Sequence, residues 1–149
     1  HRSLVDYSIV DIRAFNYFSH TQDMSARFLI TDIVRSLKNK EILETSSDNI
    51  VRDYITPIDF NNLIELIINY KPLNTALDCY TKSPISKFDL LLELESKFGL
   101  NYRIDESADF INSTGSKIHY YSVNKKAKNI GYSPRNNSLD GIIHELNKL

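Results

Sequence analysis

Two short stretches carry the side chains best suited to chemistry. Arg13-Ala14-Phe15-Asn16-Tyr17 ends an apolar run that begins at Tyr7, and Val51-Arg52-Asp53-Tyr54-Ile55 stands immediately before a helix start at Thr56-Pro57. A polar residue at the carboxyl end of a strand lies where open α/β sheets receive ligands, although an asparagine there can equally serve only to turn the chain. An arginine can fork onto two phosphate oxygens with its planar guanidinium, or it can pair with an internal carboxylate. From these residues alone, both readings stay open at Asn16 and at Arg52.

Other chemistries find less support. His20, His119 and His144 have no metal-ligand spacing, and no HExxH or HxH occurs, so no metal site is expected. Cys79 is the only cysteine and reads as a small core residue. The four glycines, at 99, 115, 131 and 141, cannot write GxGxxG or a phosphate-binding GxxxxGK[ST] loop. Ser116 follows Gly115 but lacks the GxSxG of a nucleophile elbow. Lys125, Lys126 and Lys128 read as a solvated helical face.

The elements that must position Asn16 and Arg52 follow from periodicity and caps. A strand is predicted over Tyr7 to Phe15, and a one-faced helix over Met24 to Lys38. Glu41 to Thr45 and Asn49 to Ile55 read as strands about the polar turn Ser46-Ser47-Asp48. Thr56-Pro57-Ile58-Asp59 predicts a helix to Tyr70 in which a threonine hydroxyl and an acidic side chain satisfy the first N–H groups. Thr75 to Thr81 predicts a strand. Ser86-Lys87-Phe88-Asp89 opens a helix that Gly99 stops. Asn101 to Asp105 and Lys117 to Val123 are expected to be extended, on either side of the polar stretch Ser107 to Ser116. A short helix over Asn124 to Ile130, a turn at Gly131-Tyr132-Ser133-Pro134 and a last helix from Ser138 close the chain. Strands alternating with helices give an α/β (mixed α+β) class, and residues 1–149 form one domain.

The order R-x-F-N, helix, R-D-Y-I-x-x-x-D, strand, P-x-S-x-x-x-L, then K-A-x-x-x-G-Y-x-P before S-L-x-x-G-I is specific as a series. In Arg13 to Asn16, Arg52 to Asp59, Pro84 to Leu90, Lys126 to Pro134 and Ser138 to Ile142, the chain resembles the C-terminal, substrate-binding half of the extended short-chain dehydrogenases/reductases. These are the Rossmann-type, NAD(P)-dependent nucleotide-sugar epimerases, dehydratases and reductases. The resemblance runs from about residue 5 to the end and leaves out the glycine-rich cofactor-binding half.

By position, the resemblance implies that Ala14 and Phe15 approach the nicotinamide and that Asn16 meets the substrate diphosphate or sugar. It implies that Arg52 contacts the phosphate or ribose, and that the segments Arg27-Phe28-Leu29 and Ile42 to Thr45 line the nucleotide pocket. The chain departs from the family pattern in three places. Phe18-Ser19-His20 stands where Tyr-Gly-Pro is usual, Asn112-Ser113 where a second clamping arginine is usual, and Thr45 where an aromatic packs on the base. Lys117 is a candidate replacement for the absent cation. Tyr121 to Lys125 spells the family's YxxxK, but after every other motif and across a strand-to-helix join, so it reads as coincidence and no catalytic residue is assigned.

With 18 basic against 19 acidic side chains and a net charge of -1, the chain lacks the footprint of a nucleic-acid binder. Its apolar runs are far shorter than a membrane span, and a cytoplasmic setting is expected. The resemblance implies NAD or NADP as cofactor of the whole enzyme, a nucleotide-sugar substrate, and an upstream cofactor-binding half as partner, expected ahead of a sequence that starts at His1 rather than Met. The 149 residues alone are expected neither to bind NAD(P) tightly nor to turn over substrate. The alternatives are a stand-alone, non-catalytic nucleotide-sugar-binding or regulatory module, and a protein-interaction domain.

Overall fold

The computed structural model describes residues 7–106 and 117–149. The polar stretch 107–116, with Asn112-Ser113 and Ser116, lies outside them. The described residues form nine short strands and four α-helices in the mixed α/β arrangement expected from the sequence. The strands are β1 Val10–Arg13, β2 Asn16–Tyr17, β3 Leu43–Ser46, β4 Val51–Arg52, β5 Tyr54–Ile55, β6 Thr75–Asp78, β7 Ile85–Ser86, β8 Tyr102–Asp105 and β9 His119–Tyr120. The helices are α1 Leu29–Asn39, α2 Pro57–Asn69, α3 Lys87–Phe98 and α4 Ser138–Leu146, with a 3-10 helix at Lys126–Ile130.

Three parallel pairs organise the chain: β1 with β6, β2 with β5, and β3 with β8. In a fourth sheet β4 is central, antiparallel to β7 and parallel to β9. The run predicted as one strand over Tyr7 to Phe15 is therefore two pieces. Ala14 and Phe15 carry the chain from the β1–β6 pair to the β2–β5 pair, and Asn16 opens a strand instead of a loop. The strand predicted over Asn49 to Ile55 is likewise divided at Asp53 into β4 and β5.

Two apolar cores result. Ile30, Ile33 and Val34 of α1, Leu43 of β3, Leu90, Leu91 and Leu94 of α3, and Ile142 and Leu146 of α4 close one around Phe18 and Tyr54. Leu63 of α2, Leu77 of β6, Cys79, Tyr80, Ala127, Ile130 and Tyr132 close the other around Ile55. Successive side chains of a strand point to opposite faces, so the dipeptide Tyr54-Ile55 serves both cores.

Local capping explains the remaining shifts. Helix α1 begins at Leu29, five residues after Met24, because Thr31 Oγ1 accepts the Phe28 N–H at 3.0 Å and donates to the Phe28 carbonyl at 2.8 Å, closing the chain before the first turn. Thr56 does occupy the N-cap of α2, but its hydroxyl makes no cap bond. Asp59 accepts instead from the backbone N–H groups of Arg135 at 2.6 Å and Asn136 at 3.3 Å, so a residue expected to cap its own helix holds a distant loop. In α3, Ser86 accepts from Asp89 N at 3.2 Å and Gly99 takes the left-handed C-cap at φ 70°, both as predicted. The last helix starts at Ser138, also as predicted, capped by Asn137 accepting the Asp140 N–H at 2.8 Å.

Candidate functional site

Between the β2 and β4 strand ends, the segment entering α1, β3 and the start of α3 lies a hollow of 830 Å³. This is within the range of small-molecule sites, about 300–1,000 Å³. Asn16, Arg27, Phe28, Leu29, Thr45 and Arg52 all line it, and so does Phe15. Ala14 is exposed and lies outside the lining. Residues far apart in sequence thus share one wall.

The segment Met24 to Leu29 owes its position to Arg35 of α1, whose Nη1 donates to the carbonyls of Met24 at 2.6 Å and Ala26 at 3.2 Å while Nη2 pairs with Asp32. That bracing leaves Phe28 half exposed and turned to the hollow. Arg27 extends into solvent at the rim, loosely paired with Asp32 at 3.4 Å. Thr45 is buried in β3, which β8 holds in register Thr45 to Ile104.

Arg52 is 3% exposed. Its Nη1 donates to the carbonyls of Val51 at 2.9 Å and Ile118 at 3.0 Å, its Nη2 to that of Lys117 at 2.9 Å, and its guanidinium carbon lies 5.9 Å from the centre of the Tyr120 ring. Burial lowers its pKa, opposed by Tyr54 and Tyr120. Arg52 thus ties β4 to the segment before β9 and also lines the hollow. Beside it, burial pushes the Tyr54 phenol up to about 12, with Arg52 opposing, so Tyr54 is a neutral wall at physiological pH.

Asn16 Nδ2 is buried and has no hydrogen-bond partner among the described residues. An amide donor removed from water without a partner costs about 1–3 kcal/mol. Phe15 supports this corner by an edge-on contact with Tyr120, centroids 5.2 Å apart.

Of the three departures from the family pattern, Phe18-Ser19-His20 and Thr45 fall among the described residues. Phe18 is fully buried in the first core. His20 donates its backbone N–H to Glu145 at 3.0 Å and places Nδ1 2.7 Å from the same carboxylate. Burial pushes the Glu145 carboxyl up, but the bonds from Lys148 and His20 outweigh it and hold the group down at about 2. Lys117 is exposed, lies outside the lining and sets its ammonium 4.9 Å over the Tyr120 ring.

The cation that does line the hollow is Lys87, which sequence reasoning passed over. It is 3% exposed, with its ammonium on the carbonyl and, at 3.2 Å, the hydroxyl of Ser46. The available signal was a local conflict. Lys87 is the first residue of α3, where the helix dipole favours a negative side chain.

Among the described residues no glycine-rich strand-to-helix turn faces the hollow, and only Phe15 of the two nicotinamide candidates borders it. Lys125 sets its ammonium 3.7 Å over the Tyr80 ring, and Tyr121 packs edge-on against His119, so the YxxxK residues share no helix face. Among the described residues no group of three His, Cys, Asp or Glu is placed to hold a metal, and no helix is long and apolar enough to cross a membrane.

No known family profile matches the sequence, and no curated protein matches it. Solved structures do match the fold. UDP-glucuronic acid 4-epimerase from Bacillus cereus, in complex with UDP-glucuronic acid and NAD, superposes with a TM-score of 0.79 at 17% identity over 98% of this chain and 46% of that one. DesIV, a dTDP-glucose 4,6-dehydratase from Streptomyces venezuelae with NAD and TYD bound, gives 0.77 at 16% over 98% and 45%. UDP-glucose 4-epimerase from Thermotoga maritima, with UDP-glucose, gives 0.73 at 17% over 93% and 44%. The chain spans less than half the length of these structures, and over that span it has the fold of the extended short-chain dehydrogenase/reductase epimerases and dehydratases.

Proposed function

We propose that this chain is the nucleotide-sugar-binding portion of an NAD(P)-dependent epimerase, dehydratase or reductase of the cytoplasm. The observation that carries the reading is the buried, unpartnered Asn16 amide in a hollow that also contains two buried cations, Arg52 and Lys87. Asn16 donates to the diphosphate or sugar, Arg52 contacts the phosphate or ribose, and Phe28, Leu29 and Thr45 flank the nucleoside, with Arg27 at the entrance. Phe15 meets the nicotinamide side, together with Ala14. The hydride chemistry and the pyrophosphate cradle belong to a cofactor-binding half, and these 149 residues neither turn over substrate nor hold NAD(P) tightly.

Thermal denaturation of the 149-residue protein with UDP-, dTDP-, GDP- and CDP-sugars tests this. At saturation at least one raises the midpoint by about 5 °C or more, and NAD(P) alone does not. A flat response to all four classes ends the reading. Epimerase, dehydratase or reductase turnover by this polypeptide alone would refute the division of labour. A stand-alone binding module gives the same shifts, but adding a cofactor-binding half then produces no activity.

A further inference from the structure

Lys87 is a buried ammonium with no ion pair among the described residues. Its hydrogen bonds among the described residues go to two oxygens of one residue, Ser46, and leave the third N–H with no acceptor. The other contact is the ring of Phe88, 5.1 Å away. Asp48 acts on it only through space, and burial, the larger effect, lowers its pKa. A charge taken out of water and left unpaired is costly unless an anion meets it. The acidic groups of the same hollow are already engaged: Asp32 with Arg35 and Arg27, Glu44 with Arg103, and Asp23 with the backbone and hydroxyl of Ser25.

We propose that Lys87 is the second phosphate-gripping cation of the hollow, pairing with an anionic diphosphate oxygen in the space that Asn16 and Arg52 also line. This rests on the nucleotide-sugar reading for the identity of the ligand, but not for its charge. Lysine is suited to the place because a compact ammonium on a flexible stem can turn from Ser46 to an incoming oxygen, whereas the arginine fork of β4 is fixed on three carbonyls. Lys87 thereby takes the part expected of Lys117.

The test titrates the 149-residue protein, its Lys87→Met and Lys87→Gln variants, with inorganic pyrophosphate, with UDP-, dTDP-, GDP- and CDP-sugars, and with the four matching uncharged nucleosides. Both variants should keep or raise the ligand-free melting midpoint, since a buried unpaired charge is removed. They should weaken pyrophosphate and the bound nucleotide-sugar roughly tenfold or more and leave nucleoside affinity unchanged. Nucleotide-sugar and pyrophosphate affinities equal to wild type would overturn the role of Lys87 while leaving the nucleotide-sugar reading intact. Pyrophosphate binding that depends on Lys87 without any nucleotide-sugar binding would sustain Lys87 and end that reading. A wild-type protein that binds neither overturns both. Should neither variant fold, the lysine ammonium resonances of the wild-type protein decide. The exchange-protected one shifts on adding pyrophosphate if the proposal holds, and stays still if it fails.

Discussion

Ser138 donates its hydroxyl proton to Asp53 Oδ1 at 3.0 Å and accepts the Tyr54 N–H at 2.9 Å, so the first residue of α4 completes the break between β4 and β5. Asp53 also accepts from Thr81, through the backbone N–H at 3.1 Å and the hydroxyl at 2.5 Å. One buried carboxylate thus joins the Arg52 strand, the loop after β6 and the last helix. The motif residues Asp53 and Ser138 are architecture, and they hold Arg52 and Tyr54 at the hollow.

Asp53→Ala should therefore destabilise the fold by about 3 kcal/mol, because it strands the Thr81 N–H and the Ser138 hydroxyl in a buried place. Ser138→Ala should cost less, about 1–2 kcal/mol, since only the Tyr54 N–H loses its partner outright. Urea unfolding measures both, and equal small losses would contradict this hierarchy.

Gly141 of α4 is set by close approach, not by backbone freedom. A Cβ there would stand 2.9 Å from Thr56 Cγ2 and 3.3 Å from its Oγ1. Gly141→Ala should cost about 1–3 kcal/mol by overpacking, and Thr56→Ser, which removes the methyl, should restore part of it. Additive losses in the double variant would show that the contact is not the cause.

The Glu145 carboxyl is held at about 2 in the folded protein against an ordinary value of 4.5. A depressed carboxyl contributes stability that is complete above the ordinary value and is lost as pH falls toward the folded one. The midpoint should thus drop between about pH 4.5 and pH 2. Glu145→Gln should be less stable at neutral pH and show a shallower decline in that window. An unchanged slope would remove Glu145 as the acid-sensitive group.

Asn16→Ala should separate stability from binding. Its amide nitrogen has no partner to lose among the described residues, so the ligand-free midpoint should move little, while nucleotide-sugar affinity falls roughly tenfold. A large drop in midpoint with affinity retained would make Asn16 a packing residue.

Arg52→Lys should not be conservative. An ammonium cannot reproduce three hydrogen bonds to carbonyls of both β4 and the segment before β9, so a loss of about 2–3 kcal/mol is expected together with weakened binding. Full retention of stability would mean that the carbonyls find water instead.

The ends of α3 were legible because caps are local chemistry: Ser86 and Gly99 state their roles within a few residues. The grouping of Asn16, Arg27 to Leu29, Thr45 and Arg52 around one hollow was also readable, through the ordered motifs. What was not legible depended on distant partners. Asp59 looks like a helix cap in sequence but bonds Arg135 and Asn136 across the fold, and nothing near Tyr7 to Phe15 announces that β1 and β2 join different sheets. Lys87 escaped because a cap pattern explains the helix start so well that the charge at its first position went unquestioned.

Helix α4 contributes nothing to the lining of the hollow, yet Ile142 and Leu146 press on the core that seats Tyr54, and Glu145 anchors His20 just beyond β2. The aperture offered to a guest is therefore tuned by a lever outside it. Substitutions on the buried side of the terminal helix can alter ligand preference without altering a single atom that a ligand touches.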